Sequence, residues 1–368
     1  MPLYMDRHDV SDNVTAEIIA QIHQDDLKIE HKYGCRGMTY WFDAERKTAF
    51  CLIEAPNEKA IQDMHDEAHG NVPHRIIEVN KNIVESFLGR IEDPEKSQNT
   101  DLNIINDPAF RVLMVIETSN YLDRQEANQF TLFTQKFHNS VSKRINQYNG
   151  NLVKKDNNNY LVSFKSVSDA VLCAQKIQFQ FKYVTPKFDS FKRQLNIALS
   201  SGVPVTDKEN IFEDAITLAT YMCDIVKESF VITTEINNLY ESENRNATID
   251  KKMVRILSPN EEKFLLQLMS FVESIWSKPD FNVSLFSKAL GYSKSQLNRK
   301  LKSLTGFSPN NFLKEFKLHK ALLLLRKQTG NISEIAFETG FNSAAYFSKC
   351  FLDKYKILPS KYIQQHII

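Results

Sequence analysis

Hydrophobic and polar positions along this chain change period several times, and each change marks a structural unit. A short apolar run at residues 3–5 opens a strand. Val14, Ile18 and Ile22 then recur at helical spacing on one face. That pattern stops at Tyr33-Gly34, where glycine suits a helix C-terminus. Residues 37–42 and 48–54 predict two strands around the polar turn Asp43-Ala44-Glu45-Arg46-Lys47, a hairpin. Pro56-Asn57 starts a second helix through Glu58, Ile61 and Met64, Gly70 ends it, and residues 74–79 close as a strand.

The order strand–helix–strand–strand–helix–strand predicts a ferredoxin-like βαββαβ module over residues 1–80. Residues 81–107 form a polar connector that begins as a short helix near 80–88. The pattern then starts again. Residues 111–116 make a strand, and Phe130, Phe133, Phe137, Val141 and Ile145 line a long helix at spacings of three and four. Asn149-Gly150 signals a turn before a strand–turn–strand unit at 152–164. A helix carrying Ala170, Cys173, Ile177 and Phe181, with strands at 194–199 and 230–233, completes an α/β domain over 108–240. Residues 241–260 are polar and predict a second linker, and from Glu261 to the end everything predicts helix. The fold class is therefore α+β and multidomain, with an all-α unit at 261–368.

The last hundred residues repeat internally. Val283-Ser-Leu-Phe286 through Gly291-Tyr292 mirrors Ile332-Ser-Glu-Ile335 through Gly340-Phe341 at an offset of 49. Leu297, Arg299, Leu301 and Pro309 mirror Phe347, Lys349, Phe351 and Pro359 at an offset of 50. Each copy is a short helix, a glycine-bearing turn and a second helix, which defines a helix-turn-helix. Between the copies, residues 310–327 predict an amphipathic helix, about 27 Å long at 1.5 Å per residue. Such a helix would hold the two units near one turn of DNA apart, roughly 34 Å.

Charge sharpens this division. The chain of 368 residues carries a net charge of +1, but residues 261–368 hold 16 Lys/Arg against 8 Asp/Glu. The rest is acidic, so a polyanion would be met by the tail alone. At this length several domains are expected, and the composition is that of a globular protein. No apolar run is long enough to span a membrane, and the N-terminus has no secretory-signal pattern. Cys35, Cys51, Cys173, Cys223 and Cys350 are scattered and odd in number, which implies reduced thiols and a cytoplasmic setting.

In each copy the second helix has an apolar stripe and a polar face. The first face carries Lys294, Ser295, Asn298, Arg299 and Lys302. Arg and Asn at such positions make bidentate contacts with guanine and adenine in the major groove. The second face carries Ser343, Ala344, Ala345 and Lys349, whose small side chains suit close approach and contact with thymine methyls. The stretches GYSKSQLNRKLKSLTGFSP and ISEIAFETGFNSAAYFSKCFLDKYKILPSKY resemble the AraC family of transcriptional regulators over about 105 residues. The resemblance implies binding to double-stranded DNA. Carried over by position, it implies base contacts from Ser295, Asn298 and Arg299, and from Ala344, Ala345 and Lys349.

Residues 108–240 resemble, more faintly, the class III nucleotide cyclase homology domain through VLMVIETSNY, INQYNGNLVKKDNNNYLVSFKSVSDAVLCAQKIQ, LNIALSSGVPV and EDAITLATYMCDIVKESFVITTEI. That family uses two aspartates to hold two metal ions, and an Asn and an Arg to stabilise the transition state. The corresponding positions here are Ile116, Asn158, Thr217 and Tyr221. Glu117 and Asp156 are off register, and Lys154 alone matches a base-recognising lysine. The domain is therefore expected to perform no catalysis. It is expected to serve for pairing two chains or for sensing a small ligand, the alternative being a plain structural spacer.

Six of nine histidines (His8, His23, His31, His65, His69 and His74) lie in the first 80 residues. His65 and His69, four apart, point the same way from a helix and suit a shared transition metal. Asp66 stands where a metalloprotease helix needs Glu, which excludes that motif. The segments MPLYMDRHDV, KYGCRGMTYWFDAERKTAFCLIEAP and MHDEAHGNVPHRIIEV resemble a small family of ferredoxin-like, nickel-binding proteins. The expected metal ligands are His65, His69 and His8, joined by Cys51 where its strand faces them. The expected cofactor is nickel or another transition metal.

The chain is thus expected to be a cytoplasmic, homodimeric, non-enzymatic DNA-binding regulator that responds to a metal or small-molecule effector. The alternatives are a metal-buffering protein, or a nucleotide cyclase with a DNA-binding tail.

Overall fold

The computed structural model describes residues 1–94, 102–120, 127–156, 159–184, 193–244, 249–250, 252–278 and 283–366. Strands β1 (Leu3–Asp9), β2 (Arg36–Asp43), β3 (Thr48–Glu54) and β4 (Arg75–Val79) form an antiparallel sheet in the order β2-β3-β1-β4. Helices α1 (Ala16–Ile29) and α2 (Glu58–His69) complete the βαββαβ module. Thr15 and Asn57 cap their N-termini through side-chain oxygens, and Gly70 ends α2 at φ +74°.

Alternation along the strands sorts the side chains into two cores. Tyr4, Tyr40, Cys51 and Ile53 pack towards the two helices, while Met5, Trp41, Phe50, Leu52 and Ile77 pack on the opposite face. That second face does not meet water. It is covered by α3 (Lys81–Leu88) and by Phe212 and Ala215 of the middle domain. Strands β2 and β3 are consequently buried on both faces along most of their length.

The connector is fastened rather than free. Arg90 donates to the Thr39 hydroxyl and the Tyr40 carbonyl, and the buried Ile105 donates its N–H to the Tyr40 hydroxyl at 2.9 Å. Residues 95–101, within the expected linker, lie outside the described residues.

The middle domain contains β5 (Arg111–Asn120), α4 (Ala127–Gln147), β6 (Asn151–Lys155), β7 (Asn159–Phe164), α5 (Val167–Val184) and β8 (Arg193–Gly202). These repeat the βαββαβ order and the same strand arrangement, β8-β5-β7-β6. Helices α6 (Glu213–Ile225) and α7 (Thr234–Glu243) follow, with β9 (Phe230–Thr233) and β10 (Arg255–Leu257) added in parallel beyond β8. Strand β10 falls within residues 241–260, so part of the expected linker belongs to this sheet. Three residues in a polar setting show too little alternation to announce a strand. Asn158 and the side chains of Phe130 and Phe133 lie outside the described residues.

Among the described residues the tail's regular elements are all helices: α8 (Pro259–Ile275), α9 (Val283–Ala289), α10 (Lys294–Thr305), α11 (Pro309–Lys327), α12 (Ile332–Glu338), α13 (Ala344–Tyr355) and α14 (Pro359–His366). Its two halves have separate cores. Phe264, Leu268, Phe286, Leu297 and Leu301 share a cluster with Ala219, Met222 and Cys223 of α6. The second half closes around Leu322, Ile335, Phe347 and Phe351 by itself. Helix α11 belongs to both halves: Phe312, Leu313 and Phe316 enter the first core, and Leu318, Ala321, Leu322 and Leu325 the second. It is therefore apolar on changing faces, not amphipathic as its sequence suggested. All five cysteines are free and buried, and no helix among the described residues is long and apolar enough to cross a membrane.

Candidate nucleic-acid interface and metal centre

Both second helices start from a cap that leaves their polar faces outward. Ser293 and Gln296 form a capping box at α10, and Ser343 accepts from the Tyr346 N–H at α13. Leu297, Leu301 and Leu304 turn α10 inwards, which exposes Lys294, Ser295, Arg299 and Lys302 and half-buries Asn298. Lys300 instead lies over the rings of Phe264 and Tyr292 and serves packing. On α13, Ala345 and Lys349 are exposed, whereas Ala344 packs partly against the second core. Tyr346, 55% exposed beside Ala345, was missed because an aromatic residue in a helical stripe resembles core.

The turn before α13 depends on Gly340. Its φ is +73°, and a Cβ there would stand 2.8 Å from the Ser277 carbonyl oxygen and 2.7 Å from Lys317 Nζ. Buried Lys317 donates to the Gly340 carbonyl at 2.8 Å and to the Lys278 carbonyl at 3.2 Å. It thereby ties the second turn to the segment that follows α8 in the first half.

In the N-terminal module, strand alternation places Asp6 and His8 on the helix-covered face of β1. Asp6 accepts the Cys51 N–H from β3 at 2.8 Å. Helix α2 supplies His65 and His69, and α1 supplies Asp26. His65 is fully buried, with Nε2 2.9 Å from Asp6 Oδ2 and Nδ1 3.1 Å from Asp26 Oδ1. Burial alone would lower its pKa, but the hydrogen bonds to Asp26 and Asp6 overcome this and push it up to about 10. Burial likewise opposes ionisation of Asp6 and Asp26. The histidines around them nevertheless hold both carboxyls below the ordinary range. The Cys51 thiol is pushed well up, first by burial and then by Asp6 and Asp26.

His69 accepts the Asn71 N–H at Nδ1, so its neutral ring carries hydrogen on Nε2. That nitrogen lies 3.1 Å from both Asp26 Oδ1 and His65 Nδ1. The three donor atoms therefore form a triangle with equal edges. Ligands about 2.0–2.1 Å from a metal ion stand about 2.8–3.4 Å apart in octahedral or tetrahedral arrangements, so these residues fit an ion. Asp6, His8 and Cys51 form a second group whose ligand atoms lie within 4.8 Å of one another. His8 Nε2 is buried without a hydrogen bond, 3.5 Å from Asp6 Oδ2.

The structure thus brings His65 and His69 together, and places His8 and Cys51 beside them across Asp6. Sequence reasoning missed Asp6 and Asp26. The available signal was phase: Asp26 continues the buried positions Ile19 and His23 at spacings of four and three, where a carboxylate needs a partner. His23 pairs with Asp93 and His74 accepts from the Asp9 N–H, so both are structural.

Residues 4–79 match the model of the nickel responsive protein SCO4226-like family, and residues 286–365 match a helix-turn-helix domain model. The chain therefore carries an SCO4226-like domain at one end and an AraC-type domain at the other. Over 106 residues it is 40% identical to histidine kinase P4 of Formosa agariphila, covering 29% of this chain and 8% of that protein. Over 98 residues it is 33% identical to the HTH-type transcriptional regulator MtrA of Neisseria gonorrhoeae, covering 26% and 33%. The chain thus spans a third or less of these relatives. The solved structure of SCO4226 from Streptomyces coelicolor is similar at 32% identity and a TM-score of 0.20, covering 21% of this chain and 94% of that one.

Proposed function

We propose that this chain is a sequence-specific DNA-binding transcriptional regulator whose tail is governed by a transition-metal ion held in the N-terminal module. The observation that carries the DNA reading is the duplicated helix-turn-helix with two outward faces, α10 and α13. The first offers Asn298 and Arg299 for base edges and Lys294 and Lys302 for phosphates. Both heads lie in one chain, so a single tail can read two neighbouring segments of groove.

Asp26, His65 and His69 are the proposed ligands, with nickel the favoured ion, and Asp6, His8 and Cys51 the adjoining group. A bound ion supplies positive charge between α1 and α2. To hold an ion, His65 Nδ1 would give up its proton, with Asp6 keeping the ring oriented through Nε2, and His69 would move its hydrogen from Nε2 to Nδ1, releasing the Asn71 N–H. Helix α6 offers the route to the tail. Ala215 packs with the module's outer sheet face and Ala219, Met222 and Cys223 pack with α8, so one rigid element touches both units.

The middle domain is proposed to act through its fold, not through catalysis. Ile116 is a buried apolar residue and Tyr221 donates to Glu273 at 2.9 Å, so neither offers a group for phosphate chemistry. Pairing of two chains remains part of the proposal, and sedimentation of the free and DNA-bound chain tests it.

Footprinting on the chain's own upstream DNA, with and without nickel, tests the whole reading. A protected site whose affinity changes with nickel supports it. Protection indifferent to nickel removes the metal link and favours metal buffering, and no protection at any site removes DNA reading.

A further inference from the structure

A second site lies in the middle domain, away from the metal ligands. A cleft of about 760 Å³ opens where β9 begins, beside β10 and α7, within the roughly 300–1,000 Å³ of small-molecule sites. Its lining holds three buried side-chain atoms that lack hydrogen-bond partners: Glu228 Oε2, Asn237 Oδ1 and Arg255 Nε. Buried polar atoms are nearly always satisfied, so three orphans on one cleft call for a partner from outside the chain. Two of them accept and one donates.

Charge narrows the choice. Lys252 adds a cation to the cleft, while Arg255 is already engaged by Glu261 and Glu228 Oε1 lies 3.6 Å from Lys227 Nζ. A simple anion would meet the Glu228 carboxylate, and a simple cation would meet Lys252 and Arg255. A molecule bearing both charges can meet both kinds of group. The near balance of these groups also favours a ligand of no net charge over a phosphate dianion. Met253, 49% exposed, and Ile256 add apolar surface to the lining.

We propose that this cleft binds a free α-amino acid with an uncharged side chain. Its ammonium donates to Glu228 and Asn237, its carboxylate accepts from Arg255 and Lys252, and its side chain covers Met253 and Ile256. The site stands next to the tail. Lys227, beside Glu228, donates its N–H to α10, and Arg255 holds the Glu261 side chain that caps α8. The inference does not depend on the metal reading.

Calorimetric titration of the full metal-free chain with L-leucine, L-methionine and L-glutamine tests it, alongside isoamylamine, isocaproate and adenosine monophosphate. At least one amino acid should bind in the millimolar range or tighter. Isoamylamine and isocaproate, each lacking one charge, should bind about tenfold or more weakly than leucine. Glu228→Gln should weaken amino-acid binding about tenfold, and Asn237→Ala should weaken it as well, with thermal unfolding confirming that both variants are folded. No amino-acid binding, equal binding of either analogue, tighter binding of the nucleotide, or unchanged binding in both variants would each overturn the assignment.

Discussion

The backbone N–H of Lys227, just after α6, donates to the carbonyl of Leu304 near the C-terminus of α10, at 3.1 Å. This bond lies at the edge of an apolar seam that joins α6 to α8 and α10. The first helix-turn-helix is thereby built into the middle domain. The second keeps its own core and is attached chiefly through α11 and Lys317.

The seam predicts unequal consequences for two core truncations. Leu304→Ala should cost about 2–5 kcal/mol and loosen the middle domain together with α10, because one cluster spans both. Phe351→Ala should cost about 3–5 kcal/mol but loosen α12 to α14 alone. Hydrogen exchange resolved by segment distinguishes the two patterns.

Lys317→Met retains volume but leaves the Gly340 and Lys278 carbonyls without their shared donor. The expected loss is about 1–3 kcal/mol in denaturant unfolding. Gly340→Ala should be worse, since it adds a left-handed residue and a clash with the Ser277 backbone.

Metal-free stability should depend on pH through His65. Its pKa rises on folding from 6.5 to about 10, so its contribution is complete below pH 6.5 and fades as pH climbs through about 10. Asp6 and Asp26 act oppositely: their folded values are lowered, so their contribution holds above pH 3.8 and is lost as pH falls below it. Urea unfolding at a series of pH values should show stability declining on the alkaline side, and His65→Gln should flatten that decline. A slope unchanged in the variant refutes the assignment.

Arg299→Ala should cost about 1–3 kcal/mol and relax preference at one base pair, whereas Lys302→Ala should weaken all sequences alike and reduce the salt slope by about one. Binding to a set of singly substituted sites at two salt concentrations separates these outcomes. A uniform loss for Arg299→Ala would make it a phosphate contact.

His69→Ala and Asp26→Asn should each weaken nickel binding by at least about tenfold, because each removes or dulls one corner of the donor triangle. Competition against a chromogenic chelator measures this directly. Affinity equal to the wild type would place the ion elsewhere, with the group of Asp6, His8 and Cys51 as the next site to test.

Much of the architecture was legible because it is local. Helix and strand periods, capping residues and the repeat of the tail appear within windows of a few residues, so the module, the duplicated helix-turn-helix and the outward placement of Arg299 and Lys349 follow from the sequence. Spacing alone also put His65 and His69 on one face of α2. Long-range pairing decided the rest. Only folding carries Asp26 of α1 and Asp6 of β1 to the same imidazole, from positions 39 and 59 residues away. Only packing shows that β10 joins the middle sheet, and that α11 changes the face it buries halfway along. The physical reason is the same in each case. A residue's period records which side of its own element is buried, whereas its partner is chosen by apolar burial and charge neutralisation across segments distant in the chain.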